Sequence, residues 1–284
     1  MNKNLLLAIA AIFLPSAAQN LEAGTLIPSD VIAEGLFAFD TAGSSVSPGA
    51  RYGGEIYSTV GGARDTTVEF QDATIVGGGD GIIYAQLTHH GDGLIGAGDG
   101  FGGTISGAAA TNIDPEEFRA DVDLDDTNPN ATPLRFTNLS ATQNYRIVMS
   151  LDFSHSVEAL GPDAGLRSDF DLELDGVRIF NSELISDTLL GNQIDEQAAP
   201  GFGGSLTAAN TIQFSFDLNP GAMVEVGLDH TLETPFFAEG EVFGDASYFL
   251  SVDDVFASAV MPEPTTATFA MFCCGLLPFA RRRR

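Results

Sequence analysis

Tryptophan is absent from the 284 residues, and cysteine occurs only as Cys273 and Cys274, close to the end. The stretch 24–261 therefore has no thiol, no disulfide and no cysteine-ligated metal. An exported domain of that kind rests on its hydrophobic core or on bound ions. Lysine is also missing from 24–261, where seven arginines face 37 acidic residues. A body charge of about −30 repels nucleic acid and anionic membrane surfaces, and favours solubility and divalent cations. No Gly-Lys-Ser/Thr phosphate loop, no Gly-x-Ser-x-Gly elbow and no His-Glu-x-x-His motif occurs, which removes three familiar routes to catalysis. The lack of tryptophan disfavours a carbohydrate site built on that ring, but tyrosine and phenylalanine can serve instead.

What is present is a period of two. Tyr145, Ile147, Met149, Leu151 and Phe153 alternate with polar neighbours, and Phe170, Leu172 and Leu174 alternate with Asp169, Asp171, Glu173 and Asp175. This is the pattern of half-buried strands. Asp175-Gly176 reads as a two-residue hairpin turn that pairs Leu174 with Val177 and Leu172 with Ile179. Ile212–Leu218, a turn at Asn219-Pro220-Gly221, then Val224, Val226 and Leu228 give two more strands. Tyr248, Leu250 and Val252 begin the last; Thr67–Val76 and Ile82–Thr88 lie nearer the N-terminus. Helix signals are few: Asp114-Pro115-Glu116-Glu117 and Ser182–Leu190. Residues 77–107 hold twelve glycines and read as a long surface loop. The expected fold is all-β, a jelly-roll-like β-sandwich with a short C-terminal hydrophobic helix.

Both ends read as addresses. Lys3, the apolar run Leu5–Leu14 and Ser16-Ala17-Ala18 form a signal peptide over residues 1–18, with Ala23 as a later cleavage point. Pro262-Glu263-Pro264 is followed by an apolar stretch, Ala267–Ala280, and by Arg281-Arg282-Arg283-Arg284. The two prolines hold the tripeptide extended. The apolar stretch is short of the ~20 residues that span a bilayer comfortably, and the arginines favour the cytoplasmic side. Residues 262–284 resemble the PEP-CTERM sorting signal, also catalogued as an ice-binding-protein C-terminal motif. The resemblance implies an exosortase-type sorting enzyme as partner, transient inner-membrane insertion through the C-terminal helix, and delivery to the cell surface or extracellular matrix, often alongside exopolysaccharide. Between the addresses lies one extracellular domain, 24–261.

Three local patterns in that domain resemble carbohydrate-binding-module-type jelly rolls: Phe136-Thr137-Asn138-Leu139 with Asn144-Tyr145, Leu174-Asp175-Gly176-Val177, and Phe249–Val255. Such modules imply a structural calcium near the last strand, and only Asp253 and Asp254 map onto that position. A second candidate is Asp121, Asp123 and Asp125, whose alternate oxygens suit a calcium loop, although its sixth and twelfth positions, Asp126 and Thr132, depart from the EF-hand pattern. The stripe from Asp169 to Asp175 reads instead as a solvent face, since same-face neighbours on a strand are nearly 7 Å apart. His89-His90 is the one adjacent histidine pair, and His155 and His230 stand alone in sequence. No acid pair stands out for glycoside hydrolysis. The sequence therefore points to a non-enzymatic, surface-sorted protein that interacts with extracellular polysaccharide, with calcium as its ion. A secreted glycan-active hydrolase and a purely structural or adhesive surface protein are the alternatives.

Overall fold

The computed structural model describes residues 29–42, 51–60, 63–73, 81–89, 97–110, 119–124, 131–234 and 237–259. The signal peptide, the segment Asp114–Glu117, Asp125 and the whole sorting tail, with its expected helix, lie outside the described residues. Every regular element among them is a strand, so the all-β expectation holds. In chain order these are β1 (Val31–Ala42), β2 (Arg51–Val60), β3 (Ala63–Ala73), β4 (Gly81–His89), β5 (Gly100–Ala110), β6 (Arg119–Leu124) and β7 (Thr132–Asn138). They continue with β8 (Gln143–Leu174), β9 (Val177–Asp187), β10 (Gln193–Ile194), β11 (Gln197–Ala198), β12 (Gly204–Leu218), β13 (Met223–Glu233) and β14 (Phe237–Ala259).

Two antiparallel layers face each other in a jelly-roll-like sandwich. Sheet B runs β3-β2-β5-β14-β8-β12, and sheet A runs β4-β1-(β6 and β7)-β13-β8-β9-β10-β11. The long strand β8 belongs to both. Its first part pairs with β12 and β14, and its last part with β13 and β9. The phase of burial records the crossing. Odd positions are buried from Tyr145 to Ala159, even positions from Ala164 to Leu172. The change falls at Leu160–Asp163, where Gly161 adopts φ 109°, a conformation only glycine accepts without strain.

The core lies between the layers. Phe37 meets Phe101 at 5.6 Å and Tyr248 edge-on at 5.5 Å between ring centroids. Phe136 and Phe170 are fully buried beside them. Each such side chain contributes about 1.5–3 kcal/mol on leaving water.

Three expectations need correction. Residues 77–107 are not one loop: β4 and β5 run through them, and β5 is a central strand whose Phe101 and Ile105 are buried. Two of its glycines, Gly102 and Gly103, sit where the rings of Tyr57, Phe249 and Tyr248 press on the backbone. Ser182–Leu190 is not helical, because β9 pairs with β8 as far as Asp187 and ends in a turn. The hairpin at Asp175-Gly176 forms, with φ 51° and 69°, and Leu174 pairs with Val177. A bulge on β9 at Ile179 then sets Leu172 opposite Phe180 rather than Ile179, which leaves Ile179 41% exposed. The strands β12 and β13 are successive but lie in different sheets.

The first and last described segments meet at one end of the body. The Tyr145 hydroxyl donates to Asp30 at 2.6 Å, and Ala259 pairs with Gln143. Burial, then that bond, push the Tyr145 phenol up to about 12.

Candidate functional site

The outer face of sheet B carries an open groove of about 670 Å³ that crosses all six of its strands. Strand alternation sends Tyr57 and Phe249 outward while Ile56 and Leu250 point to the core. Their rings stack at 6.0 Å, with an interplanar angle of 21°. Between them in the sheet lies Gly102, where an added Cβ would fall 2.6 Å from the Tyr57 ring and 2.7 Å from Phe249. Both rings therefore reach over bare backbone at Gly102. The Arg64 guanidinium covers Tyr57, 3.9 Å from its centroid, and bonds Glu55 at 2.8 Å. Burial raises the Tyr57 phenol.

Past the aromatic pair the groove is lined by small polar groups. The Ser154 and Ser247 hydroxyls are 2.8 Å apart, and Thr211 donates to Asp152. Its last wall is Ala209–Thr211 on the edge strand β12. An aromatic pair followed by hydroxyls and a carboxylate gives the groove both a stacking surface and hydrogen-bonding groups.

The predicted ion ligands fall in two places. Asp121 and Asp123 stand on β6, on the outer face of sheet A. Their alternation is that of a strand, with Ala120, Val122 and Leu124 buried on the opposite face. Asp121 pairs with Arg119 at 2.6 Å. Asp253 and Asp254 occupy a bulge in β14 on the outer face of sheet B. Asp253 accepts from Ser150 at 2.8 Å and from Gln213 at 2.9 Å, and Asp254 accepts the Val255 N–H. The two sets lie on opposite sheets, and among the described residues no three His, Cys, Asp or Glu side chains converge as a metal would require. The Asp169–Asp175 stripe faces outward on sheet A. Arg167 pairs with Asp169 at 2.6 Å, and Arg178 with Asp171 at 3.0 Å.

Sequence reading missed one cluster. His155 and His230, 75 positions apart, are both buried between the sheets and share the Ser168 hydroxyl, 2.8 Å from each ring. Ser182 completes the row at 3.1 Å from His155 Nε2. Phe170 stacks on His230 at 4.0 Å. Burial holds His155 down to about 4 and lowers His230 as well. Only the inward phase of both histidines hinted at this. The cluster is closed to solvent and can hold the sheets together, but it cannot meet a substrate.

No family model and no curated protein matches this chain. Solved structures similar to it include the cowpea mosaic virus top component (11% identity over 83% of this chain and 90% of that one, TM-score 0.23). Another is a lipoprotein of Bacteroides thetaiotaomicron (8% identity, 82% and 94%, TM-score 0.24). At such scores these likenesses carry no argument. Among the described residues no helix is long and apolar enough to cross a membrane.

Proposed function

We propose that this is an exported, surface-sorted, non-enzymatic protein that holds extracellular polysaccharide in the groove across sheet B. The observation that carries the reading is the Tyr57–Phe249 pair stacked over Gly102, continuous with the hydroxyls of Ser154, Ser247 and Thr211. The Phe249 ring offers a stacking surface beside the Arg64-covered Tyr57, and the hydroxyls and Asp152 offer bonds to sugar hydroxyls. Export rests on residues 1–18 and sorting on Pro262-Glu263-Pro264 and the arginines, with an exosortase-type enzyme as the processing partner. Calcium at Asp121, Asp123 and Asp125, or at Asp253 and Asp254, stays part of the proposal, with Asp125 outside the described residues.

Affinity electrophoresis through gels containing neutral or acidic polysaccharides tests the reading. A neutral polysaccharide should retard the wild type at least tenfold more strongly than Tyr57→Ala/Phe249→Ala, with no soluble sugar released. Equal retardation of the two proteins would remove the groove from the proposal. Released sugar would turn it toward a hydrolase.

A further inference from the structure

The chain holds 39 acidic residues, yet β12 has a single charged residue, Asp217, in fifteen. β12 is also an edge strand: among the described residues it pairs with β8 alone. A long edge without charge or proline is a template for another strand, and proteins normally block such edges with charge. The opposite edge of sheet B follows that rule, since β3 carries Arg64, Asp65, Glu69 and Asp72. Sheet A's β4 lies against β2 and β3. The inward residues of β12 are incompletely covered as well: Leu206, Ala208, Ile212 and Phe214 are only partly buried against the core. At its middle, the Thr211 N–H bonds the Asn210 side chain at 2.8 Å.

We propose that β12 pairs antiparallel with β12 of a second copy of this chain, about a two-fold axis at Thr211. The charge distribution selects this occupant. A copy carries the same −27, so it can approach only where carboxylates are remote. In the paired arrangement Asp217 faces Ser205 of the copy, whose own partner on β8 is Glu158, so these two carboxylates stand two strand spacings apart, and the two Asp152 stand three. Those distances are about 10 and 14 Å, both beyond the Debye length of about 8 Å at physiological salt. Pairing through β3 would place charges on the abutting strands themselves. The register also fits. Full overlap sets Ala208 opposite Phe214 and Leu206 opposite Phe216 on the inner face, and Thr207 opposite Ser215 on the outer. Each bulky side chain on the inner face then meets a smaller one.

The groove leaves the sheet at Ala209–Thr211, which is where the axis falls. Two copies would join their grooves into a single trough across twelve strands. That consequence rests on the polysaccharide reading; the strand pairing does not.

Sedimentation of the full-length protein with reductant in about 0.5 M NaCl, where the Debye length is only a few ångströms, tests the pairing. The wild type should form a dimer, and Thr207→Glu/Ser215→Glu, which opposes carboxylates twice across the axis, should weaken it at least tenfold with an unchanged circular dichroism spectrum. Cross-linking provides a second arm that does not depend on that variant's folding. Thr211→Cys, in a Cys273→Ser/Cys274→Ser background, should oxidise to a disulfide-linked dimer faster than Ser247→Cys. A wild-type monomer at about 100 μM, a dimer equally tight in the double variant, or equal cross-linking at both positions would each overturn the proposal. A dimer that binds no polysaccharide would leave the pairing standing and remove the groove's assigned ligand.

Discussion

His155 Nδ1 lies 2.8 Å from Ser168 Oγ, although the two residues stand on facing sheets and 13 positions apart along the same strand. Ser168 also meets His230 Nε2. A hydroxyl has one proton, so it donates to one ring and accepts an N–H from the other. His230 Nδ1 is buried without a partner among the described residues. A bare acceptor is tolerated there better than an orphaned N–H, which gives the row one direction: His230 donates to Ser168, Ser168 to His155 and His155 to Ser182. An added proton on His230 leaves an N–H without an acceptor, and one on His155 turns the Ser168 O–H away from its acceptor.

The row sets a pH dependence with a definite sign. His155 is held near 4 when folded, against about 6.5 when unfolded. The unfolded chain thus binds more protons below pH 6.5. The stability this supplies is complete above 6.5 and is lost as the pH falls toward 4, by about 3 kcal/mol for His155. His230 adds in the same direction. Burial raises Asp169, which works the opposite way, so the contrast is best read against a variant. Between pH 7.5 and 5, guanidinium unfolding should show the wild type losing about 2 kcal/mol more than His155→Gln. Parallel curves would contradict the assignment.

Gly102→Ala separates binding from folding. The new methyl would meet the Tyr57 and Phe249 rings at 2.6 and 2.7 Å. Both are outward-facing side chains that can lift away, so the stability cost should be only about 1 kcal/mol. The stacked pair would be lost, and polysaccharide retardation should fall as far as in Tyr57→Ala. A melting temperature lowered as much as by a core cavity would show the rings to be structural.

Neighbouring polar residues on β7 should differ sharply. The fully buried Asn138 donates to the carbonyls of Gln143 and Leu218 at 2.8 and 2.9 Å and accepts the Ser140 N–H. Asn138→Ala orphans these groups and should cost about 2–4 kcal/mol. Arg135 pairs with Glu225 through two nitrogens, but on the solvated face; Arg135→Ala should cost less than about 1 kcal/mol. Urea unfolding of the two variants checks the order. Equal losses would mean that the surface pair is worth far more than its exposure allows.

Much of the strand pattern was legible because alternation survives wherever one face is buried. Tyr145–Phe153 and Phe170–Leu174 were both visible, with opposite phase. That one strand carries both, changing sheets at Gly161, was not legible, since the change of phase falls in the polar stretch Gly161-Pro162-Asp163. β5 was hidden because glycine stands on both of its faces, outward at Gly100 and Gly102 and inward at Gly103 and Gly107, so little alternation is left to mark it. The Asp-x-Asp pattern of Asp121 and Asp123 was ambiguous between an ion loop and a strand; burial of Val122 and Leu124 decided for the strand. The groove had no sequence signature at all, because Tyr57, Gly102 and Phe249 come from three distant strands.

By itself, the amino-acid sequence determined the all-β class, a stretch from 24 to 261 without cysteine, and the strong negative charge. Each of these depends on composition or on neighbours along the chain. Tertiary structure alone decided which strands became neighbours. It thereby laid Tyr57 against Phe249, joined His155 to His230 through Ser168, and left the uncharged β12 at an edge. Such pairings are set by long-range burial, which rewards contacts between residues many positions apart and leaves no local trace of the choice.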